Sequence, residues 1–131
     1  MSDLNYLAIA IAAVAVFVLS TVYYIGFTNR LKRLSAAYAD AEARPAAWRV
    51  AIEIVRSFVV GVVVAGLVSL IGVTDLAGAV QLALALWIGF PVVLLTGSVI
   101  WEKVPPMLAG IHAGDWLLKL LVIAVIVTSG R

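Results

Sequence analysis

Three ionisable side chains, His112, Asp115 and Lys119, interrupt an otherwise apolar run, Ile111-His112-Ala113-Gly114-Asp115-Trp116-Leu117-Leu118-Lys119. A histidine titrates near neutral pH, and a carboxylate beside it can pass a proton on. Residues of these types at this spacing could handle protons or ions. They could equally form a buried ion pair that only fixes how helices pack. At 100° per residue, His112, Asp115, Trp116 and Lys119 fall within an arc of about 100°, one face of a helix. Gly110 and Gly114 lie on the opposite face, where a Gly-x-x-x-Gly pair allows close helix packing. Asp115 precedes Lys119 by four residues, the better order for an intrahelical pair. Helical side chains lean towards the N-terminus, so Lys119 can reach back to Asp115.

These groups need a scaffold that keeps them from acyl chains. From Pro106 to Gly130 the chain is long enough to cross a bilayer, which takes roughly 20 residues. A lone charge at mid-membrane costs from about 3 to more than 10 kcal/mol. That is large against a domain stability of about 5–15 kcal/mol. The acid and the amine are therefore expected to face each other, and to face protein or water.

Composition sets the class. The 131 residues are 65% hydrophobic, with a mean hydropathy of +1.17. This is an integral membrane protein of one domain, residues 1–131. With no cysteine, disulfides, thiolate catalysis and cysteine metal sites are excluded. One histidine excludes a multi-histidine metal site within one chain. The net charge of +2 is small, and most bases sit in one loop. That pattern speaks to orientation in a membrane, not to nucleic acid. No metal site and no cofactor is expected.

The fold read from the sequence is all-α, with four transmembrane helices at about 4–28, 46–74, 76–101 and 106–130. The first has no charge, and its apolar run is too long for a secretory signal peptide. Ala8, Ala12 and Ala15 give it a small stripe, and Tyr23 and Tyr24 suit an interfacial anchor. Arg30, Lys32 and Arg33 follow, then an Ala-rich segment to Pro45. Leu31, Leu34 and Tyr38 are spaced to lie on the bilayer surface as a short amphipathic cytoplasmic piece. Six bases between Arg30 and Arg56 place this loop inside, so both termini are expected outside. In the second helix Arg49, Glu53 and Arg56 share a face as a ladder of interfacial ion pairs. Gly61, Ala65 and Gly66 supply small contact surface, and Gly72-Val73-Thr74-Asp75 makes an outer turn. Pro91 removes a backbone hydrogen bond in the third helix, so a kink is expected there. Thr96 and Ser98 can satisfy backbone carbonyls near it. Pro105-Pro106 resets the chain for the fourth helix.

On this topology Glu53, Arg56, Ser98, Glu102, His112 and Asp115 share the cytoplasmic half, with Lys119 about 10 Å deeper than His112. They are expected to converge on one cavity open to the cytoplasm, with Lys119 at its floor. The outer halves offer few polar groups within them, Ser69, Thr74 and Gln81 among them, which argues against a simple pore in one subunit.

Trp87 to Lys103 (WIGFPVVLLTGSVIWEK) and Ile111 to Leu120 (IHAGDWLLKL) resemble the bacterial four-helix membrane family "domain of unknown function 1761". The resemblance covers the C-terminal third well, and the first two helices only in hydropathy. Family members often carry Asn-Ala-Gly-Tyr at the place of His112-Ala113-Gly114-Asp115, and a subset carries His-Ala-Gly-Asp-Trp as here. The resemblance implies a small polytopic protein of the bacterial inner membrane and supplies no activity.

Three functions compete. The first is a non-enzymatic structural or accessory membrane protein, a homo-oligomer or bound to another membrane protein. Its partners are then the lipid bilayer and a protein, not nucleic acid. The second is a proton-coupled transporter or channel using Glu102, His112, Asp115 and Lys119, with Ser98 nearby. The third is an intramembrane enzyme or haem protein, for which no nucleophile is placed and only one histidine is present. The first is the reading adopted.

Overall fold

In the computed structural model, residues 4–34 and 47–130 are described. All regular structure among them is helical. Helix α1, Tyr6–Gly26, starts where the Asn5 side chain accepts a hydrogen bond from the Ala8 N–H at 3.1 Å. This is ordinary N-capping, which satisfies one of the four orphan donors at a helix start. The chain turns at Phe27 and continues as a short helix α2, Thr28–Leu34, which carries Arg30, Lys32 and Arg33. Leu31 is 3% exposed, covered by protein rather than turned out to acyl chains as its spacing suggested. The remainder of that expected segment, including Tyr38 and Pro45, lies outside the described residues, as does Arg131.

Helix α3, Ala47–Ile71, is stopped by Gly72, whose φ of +84° a side-chain-bearing residue rarely adopts. It ends three residues before the boundary expected from hydropathy, because Val73 and Thr74 belong to the turn. Asp75 then caps helix α4, Leu76–Trp87, by accepting from the Gly78 N–H at 2.9 Å. A π-helical turn, Ile88–Val92, joins α4 to helix α5, Val93–Trp101. Pro91 sits inside that turn. Proline cannot donate to the helical ladder and clashes with the carbonyl one turn back, and the wider π turn accommodates it. Thr96 donates to the Val92 carbonyl at 2.7 Å and Ser98 to the Leu94 carbonyl at 3.2 Å. Helix α6, Pro106–Ser129, begins on a proline at its first turn, where no N–H is needed.

Four spans are long and apolar enough to cross a membrane: α1, α3, α4 through α5, and α6. The protein is a multi-pass membrane protein. Helix α6 is the hub, packed against every other described helix. Helices α1 and α3 also pack on each other, whereas the span Leu76–Trp101 rests chiefly on α6. The densest core runs through Ile9, Val16, Val64, Val68 and Ile123, none more than 2% exposed. Between lipid-solvated helices the attraction is packing rather than the hydrophobic effect, so close fit matters. Gly61 shows it: a Cβ there would lie 2.9 Å from Ile9 Cγ2, so α1 and α3 meet at a distance only glycine permits. At one end Asn5 Nδ2 donates to the Gly130 carbonyl at 2.8 Å, joining the start of α1 to the end of α6.

Candidate functional site

The polar groups of α6 meet α1. Asp115 is 2% exposed. One of its oxygens accepts from the Ser20 hydroxyl. The other lies 2.9 Å from Lys119 Nζ, the pair formed one turn apart on α6. Lys119 folds back as the helical lean of side chains dictates, and its ammonium also stands 5.0 Å from the centroid of the Trp116 ring. The carboxylate and the amine are thus neutralised by each other, in a place where neither could stand alone.

One turn towards the basic end, two tyrosines of α1 reach α6. Tyr23 donates to the Ile111 carbonyl at 2.8 Å. The Tyr24 hydroxyl lies 2.7 Å from His112 Nδ1. The two tyrosine rings stand edge to face at 5.5 Å, and Tyr23 leans on Phe27 at 5.0 Å. On another side of α6, Trp87 donates its indole N–H to the Ala113 carbonyl at 2.8 Å. Helices α1 and α4 are therefore both hydrogen-bonded to the same two turns of α6.

This arrangement corrects several expectations. Tyr23 and Tyr24 are not merely interfacial anchors, because both hydroxyls bond to α6. Gly114 is a packing glycine: a Cβ there would come 2.3 Å from the Tyr23 hydroxyl. Gly110 is not, since it is exposed and nothing lies near its Cβ position. A central helix is contacted on several sides, so it has no single packing face opposite a polar one. Asp115 and Gly114, neighbours in sequence, both meet α1.

Ser98 and Glu102 do not join the cluster. Ser98 is spent on the Leu94 carbonyl, and Glu102 is exposed at the end of α5. The third span reaches α6 chiefly through α4, so its polar C-terminal end stays away from His112 and Asp115. Of the expected ladder on α3, Glu53 and Arg56 form an exposed ion pair, while Arg49 lies over the Trp48 ring at 5.3 Å. Convergence holds in part. Glu53, Arg56 and Ser57 on α3 and Trp116 and Lys119 on α6 line one groove of about 300 Å³.

Chemically, the seam offers two short chains of polar groups, Ser20–Asp115–Lys119 and Tyr24–His112. Among the described residues no three His, Asp or Glu side chains gather as a metal site would require. The residues that sequence reasoning missed are Ser20, Tyr24 as the partner of His112, and Trp87. Ser20, Tyr23 and Tyr24 were visible as a polar i, i+3, i+4 set on α1.

Residues 7–128 match the family described as "Protein of unknown function (DUF1761)". The chain belongs to this family. The match takes in all four DUF1761 spans, well beyond the C-terminal third that carries the plainest resemblance. Neither the curated proteins nor the solved structures give a match.

Proposed function

We propose that this DUF1761 protein is a non-enzymatic, oligomeric structural or accessory protein of the bacterial cytoplasmic membrane. Its polar network holds α1 against α6 and turns over no substrate. The closure of Asp115 carries the reading. A transport carboxylate must exchange partners during a cycle. Asp115 is 2% exposed, with Ser20 and Lys119 occupying its two oxygens. A carboxylate closed in this way specifies packing.

Both termini face outside in this reading. Its support is the basic charge at one end of the bundle: Arg30, Lys32 and Arg33 on α2, Arg49 and Arg56 on α3, and Lys103 after α5. A bend of the span Leu76–Trp101 at its π turn belongs to this reading, supported by Pro91 inside that turn. Within an apolar 18-residue stretch of each span, 11% of residues are buried here against 33% in the other three, which leaves surface for a second membrane protein. The groove beside Lys119 supports a second reading, a small proton-coupled carrier, because it brings Glu53 and Arg56 to the edge of the buried pair.

Proteoliposome flux and stability, measured together on Asp115→Asn and His112→Ala, separate the two. The structural reading expects Asp115→Asn to lower stability and no proton-coupled flux to depend on either residue. Proton uptake abolished by both variants, with stability intact, would sink it. Mass measurement in detergent tests the oligomer, and a strict monomer would remove that part.

A further inference from the structure

We propose that the groove between α3 and α6 binds an acidic phospholipid of the leaflet at the basic end of the bundle. The walls above the charged groups are apolar: Val59 and Val60 from α3, Ile123 from α6. They suit an acyl chain. The polar floor and rim are Arg56, Ser57 and Lys119, all able to donate hydrogen bonds. Ser57 is 7% exposed, and its hydroxyl makes no hydrogen bond among the described residues. A serine inside a membrane helix normally satisfies itself on the carbonyl one turn back. Here it is left for an acceptor in the groove. Lys119 commits one donor to Asp115 and keeps others.

Two acids stand nearby, and neither blocks an anion. Asp115 is paired with Lys119 and accepts a hydrogen bond from Ser20. Glu53 holds Arg56, but their side chains are 43% and 59% exposed. Such a pair is worth little, so a phosphate can take the guanidinium from it.

Depth fits a phospholipid rather than a soluble anion. Arg56 precedes the end of α3 at Ile71 by 15 residues, about 22 Å of helix. Its side chain leans further towards the basic end. The guanidinium thereby reaches the edge of a hydrocarbon layer roughly 30 Å thick, where phosphates lie. Ser57 lies one residue further along α3, and Lys119, ten residues before the end of α6 at Ser129, stands deeper, where the groove turns apolar. The clustered bases of α2 and α3 enrich the same leaflet in acidic lipid. The inference needs only the membrane-spanning fold, and stands whichever side the basic end faces.

The test is lipid binding to the full chain in neutral detergent, read by native mass spectrometry and by the thermal midpoint. Phosphatidylglycerol, phosphatidylcholine and palmitate are the probes. Phosphatidylglycerol is expected to be retained and to raise the midpoint. Arg56→Gln, an exposed substitution that leaves the core intact, should weaken it about tenfold. Ser57→Ala should weaken it less, Val60→Phe should block the groove, and Arg49→Gln should change nothing. Equal binding of phosphatidylcholine, or no effect of Arg56→Gln, would overturn the proposal. Palmitate binding as tightly as phosphatidylglycerol would overturn the assignment to a diacyl lipid.

Discussion

Helix α6 has two very different neighbours. Against α1 it makes a seam of hydrogen bonds, with Ser20, Tyr23 and Tyr24 on one side and Asp115, Ile111 and His112 on the other. Against the span Leu76–Trp101 its packing is mostly apolar, and Trp87 donates a side-chain hydrogen bond to the Ala113 carbonyl. The first seam is specific, because each polar group has a particular partner and would be costly without it. The second can slide or be replaced by lipid at little cost, since acyl chains solvate leucine as well as another leucine does. Rigidity and adaptability are thus divided between two sides of one helix.

The largest expected effect falls on the ion pair. Lys119→Met leaves the Asp115 carboxylate buried without its counter-charge and should cost about 3–5 kcal/mol. Asp115→Leu combined with Lys119→Met should recover most of that, measured by denaturant or thermal unfolding in detergent. A double variant as unstable as the single would mean the pair does more than neutralise itself. Next comes Gly114→Ala, which drives a methyl into the Tyr23 hydroxyl and should cost about 1–3 kcal/mol. Gly110→Ala, with open space at its Cβ, should be neutral or stabilise by up to about 1 kcal/mol. If the two glycines behaved alike, the packing assigned to α1 and α6 would be wrong.

Single hydrogen bonds in membranes contribute modestly. Trp87→Phe should therefore cost only about 0.6 kcal/mol, seen as a small shift in the same unfolding curve. The smallest effect belongs to the outward side of the third span. Leu94→Ala, at a residue 69% exposed, should leave monomer stability within about 0.5 kcal/mol. A larger loss there, scaling with protein concentration, would reveal a protein partner on the adaptable side and end the contrast.

Much of this was legible in the residues. Four spans, the Gly72–Asp75 turn, the Asp115–Lys119 pair and the carbonyl bonds of Thr96 and Ser98 all follow from local rules. Spacing within one helix decides them. What could not be read was which helix α6 turns each face towards. Ser20 and Asp115 are 95 positions apart, and Tyr24 and His112 are 88 apart. No periodicity encodes such a pairing. Membrane depth suggested Ser98 and Glu102 as partners, but equal depth is not contact, and the third span meets α6 mainly through its other half. The missed π turn has a similar cause: Pro91 announces that the ladder must break, without saying how the chain absorbs it.

The hub of this bundle follows the other described helices in the chain, and ribosomes deliver chains in sequence order. Helices α1 and α3 can pair early, but the hydroxyls of Ser20, Tyr23 and Tyr24 find their acceptors only when residues 111–115 enter the bilayer. The third span must likewise wait for α6, on which it chiefly rests. Packing of these spans therefore waits for α6, and damage to that helix should scatter spans that had already been inserted.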